Sequence, residues 1–84
     1  MATEMKQPKV RFTHSGSGNY SYSSQDRSFV SASVTNYGPT DLQLNIREVS
    51  IIVKSGETFT DTFDDFNSIS IVTTSTFRLI LRGW

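Results

Sequence analysis

No cysteine occurs in these 84 residues. Disulfide bracing is therefore excluded, and stability does not depend on an oxidising compartment. The one histidine, His14, leaves a zinc site short of its usual nitrogen and sulfur ligands. Long apolar runs are also missing. Ile51-Ile52-Val53 stops at three residues, far below the ~20 that a membrane-spanning helix requires, so no membrane partner is expected. The opening MATEMKQPKV has no apolar core of the signal-peptide kind, and no secretory leader is expected. Neither sign of charge dominates, with eight basic residues against eight acidic. The basic stripe that nucleic acid demands is absent from the chain, and nucleic acid is not expected as a partner.

What the chain has in quantity is hydroxyl: thirteen serines and ten threonines. That bias disfavours helix and suits strand surfaces and turns. A chain of this length forms one domain and buries only roughly 60–65% of the surface its unfolded form exposes. Without disulfide or metal, association with other subunits is the remaining common source of extra stability.

Residues 1–8 are polar and end at Pro8, which has no N–H to give to a ladder. They read as an N-terminal arm, followed by a single domain over 9–84. Period-two alternation then recurs. Val10, Phe12 and His14 share one face of a first strand, which the Ser15–Asn19 turn ends. Tyr20 and Tyr22 alternate with serine in a short second strand. Val30, Ala32 and Val34 line a third, closed by the turn Asn36–Thr40. Leu42, Leu44 and Ile46 form a fourth. Arg47-Glu48 makes a tight turn or bulge before Val49–Val53. After the Lys54–Glu57 turn, Phe59 and Phe63 alternate around Asp61. A loop over Asp64–Ser68 follows, anchored by Phe66. Ile69 and Ile71 mark another strand, and Phe77, Leu79 and Leu81 the last, with Arg78 and Arg82 on its opposite face. Seven to eight short strands at this spacing predict an all-β fold, an antiparallel β-sandwich or flattened barrel. The expected core is Phe12, Val30, Val34, Leu44, Ile46, Ile51, Val53, Phe59, Phe63, Ile69, Ile71, Phe77 and Leu79.

Catalytic patterns are weak. His14-Ser15 lacks a nucleophile elbow or an oxyanion site around it. Gly16 and Gly18 lack the strand–loop–helix context of a phosphate cradle. No catalytic residue and no cofactor are assigned. Asp61, Asp64 and Asp65, with Thr62 and Asn67, offer the oxygen ligands calcium uses. Their spacing is not that of an EF-hand, and a solvated acidic loop without metal is the reading taken. Asn19-Tyr20-Ser21 has the form of a glycosylation acceptor. The aromatics least needed for a core are Tyr20, Tyr22, Tyr37 and Trp84. They are the candidate binding residues, because exposed tyrosine and tryptophan stack on sugars or anchor interfaces.

The stretch Val53-Lys-Ser-Gly-Glu-Thr-Phe59, then Phe63-Asp-Asp-Phe66, Ile69-Ser-Ile71 and Phe77-Arg-Leu-Ile-Leu-Arg-Gly83 resembles small β-sandwich modules of virion proteins from bacteriophages of Gram-positive bacteria: head fibres, decoration proteins and tail tips. The resemblance spans about residues 34–83. It implies a structural virion component, usually trimeric, that meets other virion proteins and host cell-surface glycan. The virion, assembled in the bacterial host cytoplasm, would be its location. The competing class is a carbohydrate- or cell-wall-binding module of a phage lysin. The polar arm and Trp84 are the expected contacts between copies.

Overall fold

The computed structural model describes residues 7–84. Most of the proposed arm, residues 1–6, lies outside them. The chain forms eight strands: β1 (Lys9–Ser17), β2 (Tyr20–Ser23), β3 (Phe29–Gly38), β4 (Leu42–Ile46), β5 (Val49–Val53), β6 (Thr58–Phe66), β7 (Ser68–Thr73) and β8 (Thr76–Gly83). No helix occurs among the described residues. The strands make two four-stranded antiparallel sheets, ordered β1-β8-β3-β6 and β2-β7-β4-β5. The all-β sandwich expected from the alternation is what forms. Its path is that of a jelly roll: β1 pairs with β8, β2 with β7, β3 with β6 and β4 with β5, two Greek keys wrapped into two sheets.

Alternation decides which side chains enter the core. Leu42, Leu44 and Ile46 of β4 and Phe77, Leu79 and Leu81 of β8 are buried, with polar or half-buried residues between them. Facing them are Ala32 and Val34 from β3, Val53 from β5, and Ile69 and Ile71 from β7. Phe12, Ile51, Phe59 and Phe63 are half-buried at the margins and pack against this cluster. Every buried side-chain nitrogen and oxygen among the described residues has a partner, as a dry core requires.

Bulges correct the plain period-two reading at two places. The β1–β8 register shifts between Val10 and Phe12. Val10 then pairs with Arg82 and is 49% exposed, on the face opposite Phe12. In the third strand the β3–β6 register shifts between Phe29 and Ser31. Phe29 becomes buried and Val30 only half-buried, so the core position assigned to Val30 belongs to Phe29. On β1 the inserted residue reverses the facing of what lies beyond it; beside Phe29 the extra residues lie on β6, where 63–65 stand against Val30 alone. Two expected loops are also strand. β1 continues through Ser17 rather than turning at Ser15. β6 runs to Phe66 and β7 starts at Ser68, leaving only Asn67 between them. Phe66 is a core residue, its ring 5.8 Å from that of Phe29.

The ends of the sandwich are pinned by polar groups. Asn36, placed in a turn by its type, lies fully buried near the end of β3. Its amide nitrogen donates to the carbonyls of Thr40 and Val53, 2.8 Å each, and its oxygen accepts the Gly38 N–H at 2.8 Å. Gly38 has φ 91°, where glycine is favoured, and a Cβ there would collide with Ser55 Oγ. The β4–β5 hairpin turns through Arg47 at φ 55°. That conformation costs a non-glycine residue about 1–2 kcal/mol. The Arg47 guanidinium reaches the Asp65 carbonyl at 2.6 Å, tying the turn to the end of β6.

Candidate functional site

The four aromatic candidates part company. Tyr20 and Tyr22 are half-buried. The Tyr20 ring stacks on His14 with centroids 3.8 Å apart and planes at 8°. Tyr22 stacks on Phe12 at 3.9 Å and 17°. These two stacks join the edge of one sheet, β1, to the edge of the other, β2, and close that flank of the sandwich. Burial, and after it the neighbouring Tyr22, push the Tyr20 phenol above its ordinary value. Tyr37 and Trp84 are free of such packing, 59% and 63% exposed. They sit beyond opposite ends of β8, since Gly38 pairs with Thr76 while Gly83 pairs with Lys9. The eight residues of β8 separate them by roughly 25 Å, so no single compact ligand bridges both.

Trp84 has company that its place in sequence hides. It borders an open groove of about 360 Å³ with Arg11 from β1 and Asp26, Arg27 and Ser28 from the β2–β3 connection. Gly83 permits this approach, because a Cβ on it would lie 2.7 Å from the Ser28 carbonyl oxygen. The groove offers an aromatic face beside two guanidiniums, a carboxylate and a hydroxyl. That set stacks on and hydrogen-bonds to polar rings, sugars among them.

A second surface is the outer face of the sheet containing β8. Its residues fall in three rows across β1, β8, β3 and β6: Val10, Arg82, Ser31 and Thr62; Thr13, Ile80, Ser33 and Thr60; Ser15, Arg78, Thr35 and Thr58. Ser33 and Thr60 hydroxyls lie 2.9 Å apart, and Thr35 and Thr58 3.0 Å. The alternating serine and threonine in segments 31–35 and 58–62 was the sequence signal for this face. Its assembly into one surface depends on pairings between distant strands.

The remaining motifs are placed as follows. His14 faces inward onto Tyr20, whereas Ser15 faces outward beside Arg78, so the two do not converge. The Asn19 side-chain oxygen accepts the Thr73 N–H at 2.9 Å. Asp61 lies level with Ala32 on edge strand β6, and its carboxylate accepts the Thr62 N–H at 2.8 Å. Among the described residues, no three histidine, cysteine or acidic side chains gather to hold one cation. The acidic residues are therefore strand residues at a sheet edge, not the loop expected.

No protein-family model matches the chain, and neither curated proteins nor solved structures give a significant match.

Proposed function

We propose that this chain is a non-enzymatic assembly module: a bacteriophage virion component, as capsid decoration or as a fibre or tail subunit. In this reading it self-associates, as a trimer, and contacts other virion proteins and the host surface. The observation that carries the reading is where its recognition chemistry lies. Arg11, Arg78, Ile80, Arg82, Tyr37 and Trp84 are spread over a flat face, strand edges and open grooves. Such surfaces fit macromolecules, whereas small molecules are usually held in concave, largely enclosed pockets. The jelly-roll path supports the reading by fold-level analogy, being common in capsid and lectin domains. Light scattering across a concentration series tests it. A closed oligomer is expected, and a chain that stays monomeric throughout refutes the self-associating subunit.

The Trp84 groove favours a second reading, a carbohydrate- or cell-wall-binding module. Retention on Gram-positive cell-wall glycan that is lost in Trp84→Ala, by a chain that remains monomeric, would select this reading over the first.

A further inference from the structure

We propose that copies of this chain join head to tail through the two edges of one sheet, β1 of one copy pairing with β6 of the next. The proposal rests on the assembly reading above and names its interface. β1 and β6 are the edge strands of the β1-β8-β3-β6 sheet, and no described residue pairs with their outer sides. Each is nine residues long. An open edge of that length carries a row of backbone donors and acceptors able to extend a sheet.

Charge selects the pairing. β1 carries Lys9 and Arg11 and no acid; β6 carries Asp61, Asp64 and Asp65 and no base. All five are exposed. The surroundings add positive charge on the β1 side and are balanced on the β6 side. Arg27, Arg78 and Arg82 lie on the β1 side with Asp26 the one described acid there. Glu48 and Glu57 lie on the β6 side with Arg47 and Lys54, of which Lys54 is held 3.7 Å from Asp41. A two-fold pairing of β6 with β6 would bring six carboxylates together, and β1 with β1 four cations. Like-charge juxtaposition of this kind rejects both. Only the β1–β6 joint sets opposite charges face to face.

Direction and register agree with charge. Every pair in the sheet is antiparallel, so β1 and β6 run in opposite senses. A copy rotated about an axis along the strands keeps its directions, and its β1 meets β6 antiparallel. Where the rows continue without slip, Arg11 falls beside Asp61 and Thr62. Lys9 falls beside the bulged stretch of Phe63, Asp64 and Asp65. The hydroxyl rows also run on, Thr13 meeting Thr60 and Ser15 meeting Thr58. A head-to-tail contact with rotation closes into a ring, as a trimer requires.

Two charge-reversed full-length variants test the joint: Lys9→Glu with Arg11→Glu, whose edges are both acidic, and Asp64→Lys with Asp65→Lys, whose edges are weighted to the basic side. Each alone should lose association, its midpoint moving by roughly tenfold or more, with circular dichroism like the parent's. The full-length chain carrying all four substitutions should regain associated mass, because every joint of its ring then sets an acidic β1 against a basic β6. Misfolding cannot produce that rescue. If the parent associates but either double variant keeps its mass and midpoint, or the chain with all four substitutions stays monomeric, the joint is wrong and the assembly reading survives. A monomeric parent overturns both.

Discussion

Asn36 sits with no exposure at the corner where β3, β5 and the β3–β4 connection meet. Its three side-chain hydrogen bonds are all 2.8 Å. Replacing it by alanine removes three bonds worth about 1 kcal/mol net each and leaves the Gly38 N–H without its acceptor, a further 1–3 kcal/mol or so. The Thr40 carbonyl still accepts from Ser75 Oγ at 2.6 Å, which limits the loss. A total near ~4 kcal/mol follows, or a fall in melting temperature of roughly 15–30 °C for a domain of this size. Asn36→Asp separates shape from donors. It keeps the acceptor for Gly38 but turns a carboxylate oxygen toward the Val53 and Thr40 carbonyls. It should be at least as damaging at neutral pH and partly recover in acid, where the carboxyl is protonated. The assay is thermal unfolding followed by circular dichroism. If Asn36→Asp melts within about 5 °C of the parent at neutral pH, the amide donors do not hold this corner.

Two further outcomes are expected. Phe77 is buried against the His14–Tyr20 stack, with ring centroids 5.9 and 6.3 Å away. Phe77→Ala should cost about 3–5 kcal/mol of a total stability of roughly 4–13 kcal/mol, and an unchanged melting temperature would contradict the packing. The folded chain holds the Tyr20 proton more firmly than the unfolded chain does. Its stabilising contribution is therefore present below the ordinary phenol value near ~10 and lost as pH rises through the raised folded value. Ultraviolet titration should show one phenol ionising late, and Tyr20→Phe should abolish that phase; its persistence in the variant would reassign it.

The strands were legible where alternation is uninterrupted. Leu42-Gln-Leu-Asn-Ile46 and Phe77-Arg-Leu-Ile-Leu81 place each side chain correctly because the strand period is two. Val10 and Val30 were misplaced because a bulge leaves no mark in composition. Asn36 reads as a turn former by type, and only its distance from solvent shows that it holds the corner. The Trp84 groove was half legible. Trp84 stands out alone, but Arg11, Asp26, Arg27 and Ser28 join it through strand pairing that no local pattern encodes. Tyr20 and Tyr22 are half-buried strand residues, and nothing in the sequence announces that His14 and Phe12 stack on them.

The jelly-roll path has a kinetic side. Only β4 and β5 are paired neighbours joined by a two-residue turn. The pairs β3–β6, β2–β7 and β1–β8 each enclose the one before. The chain resembles one long hairpin folded over on itself, able to close outward from the Arg47–Glu48 tip, with each later pair bridging a longer stretch of unfolded polypeptide. Such topologies fold slowly, in milliseconds to seconds. β8, at the far end of that path, lies between β1 and β3. Until it arrives, the inner face of β3 stays uncovered at its side and β1 has no partner. If closure runs outward from that tip, folding waits on one late strand, and an intermediate lacking it would expose an open edge of β3 to aggregation.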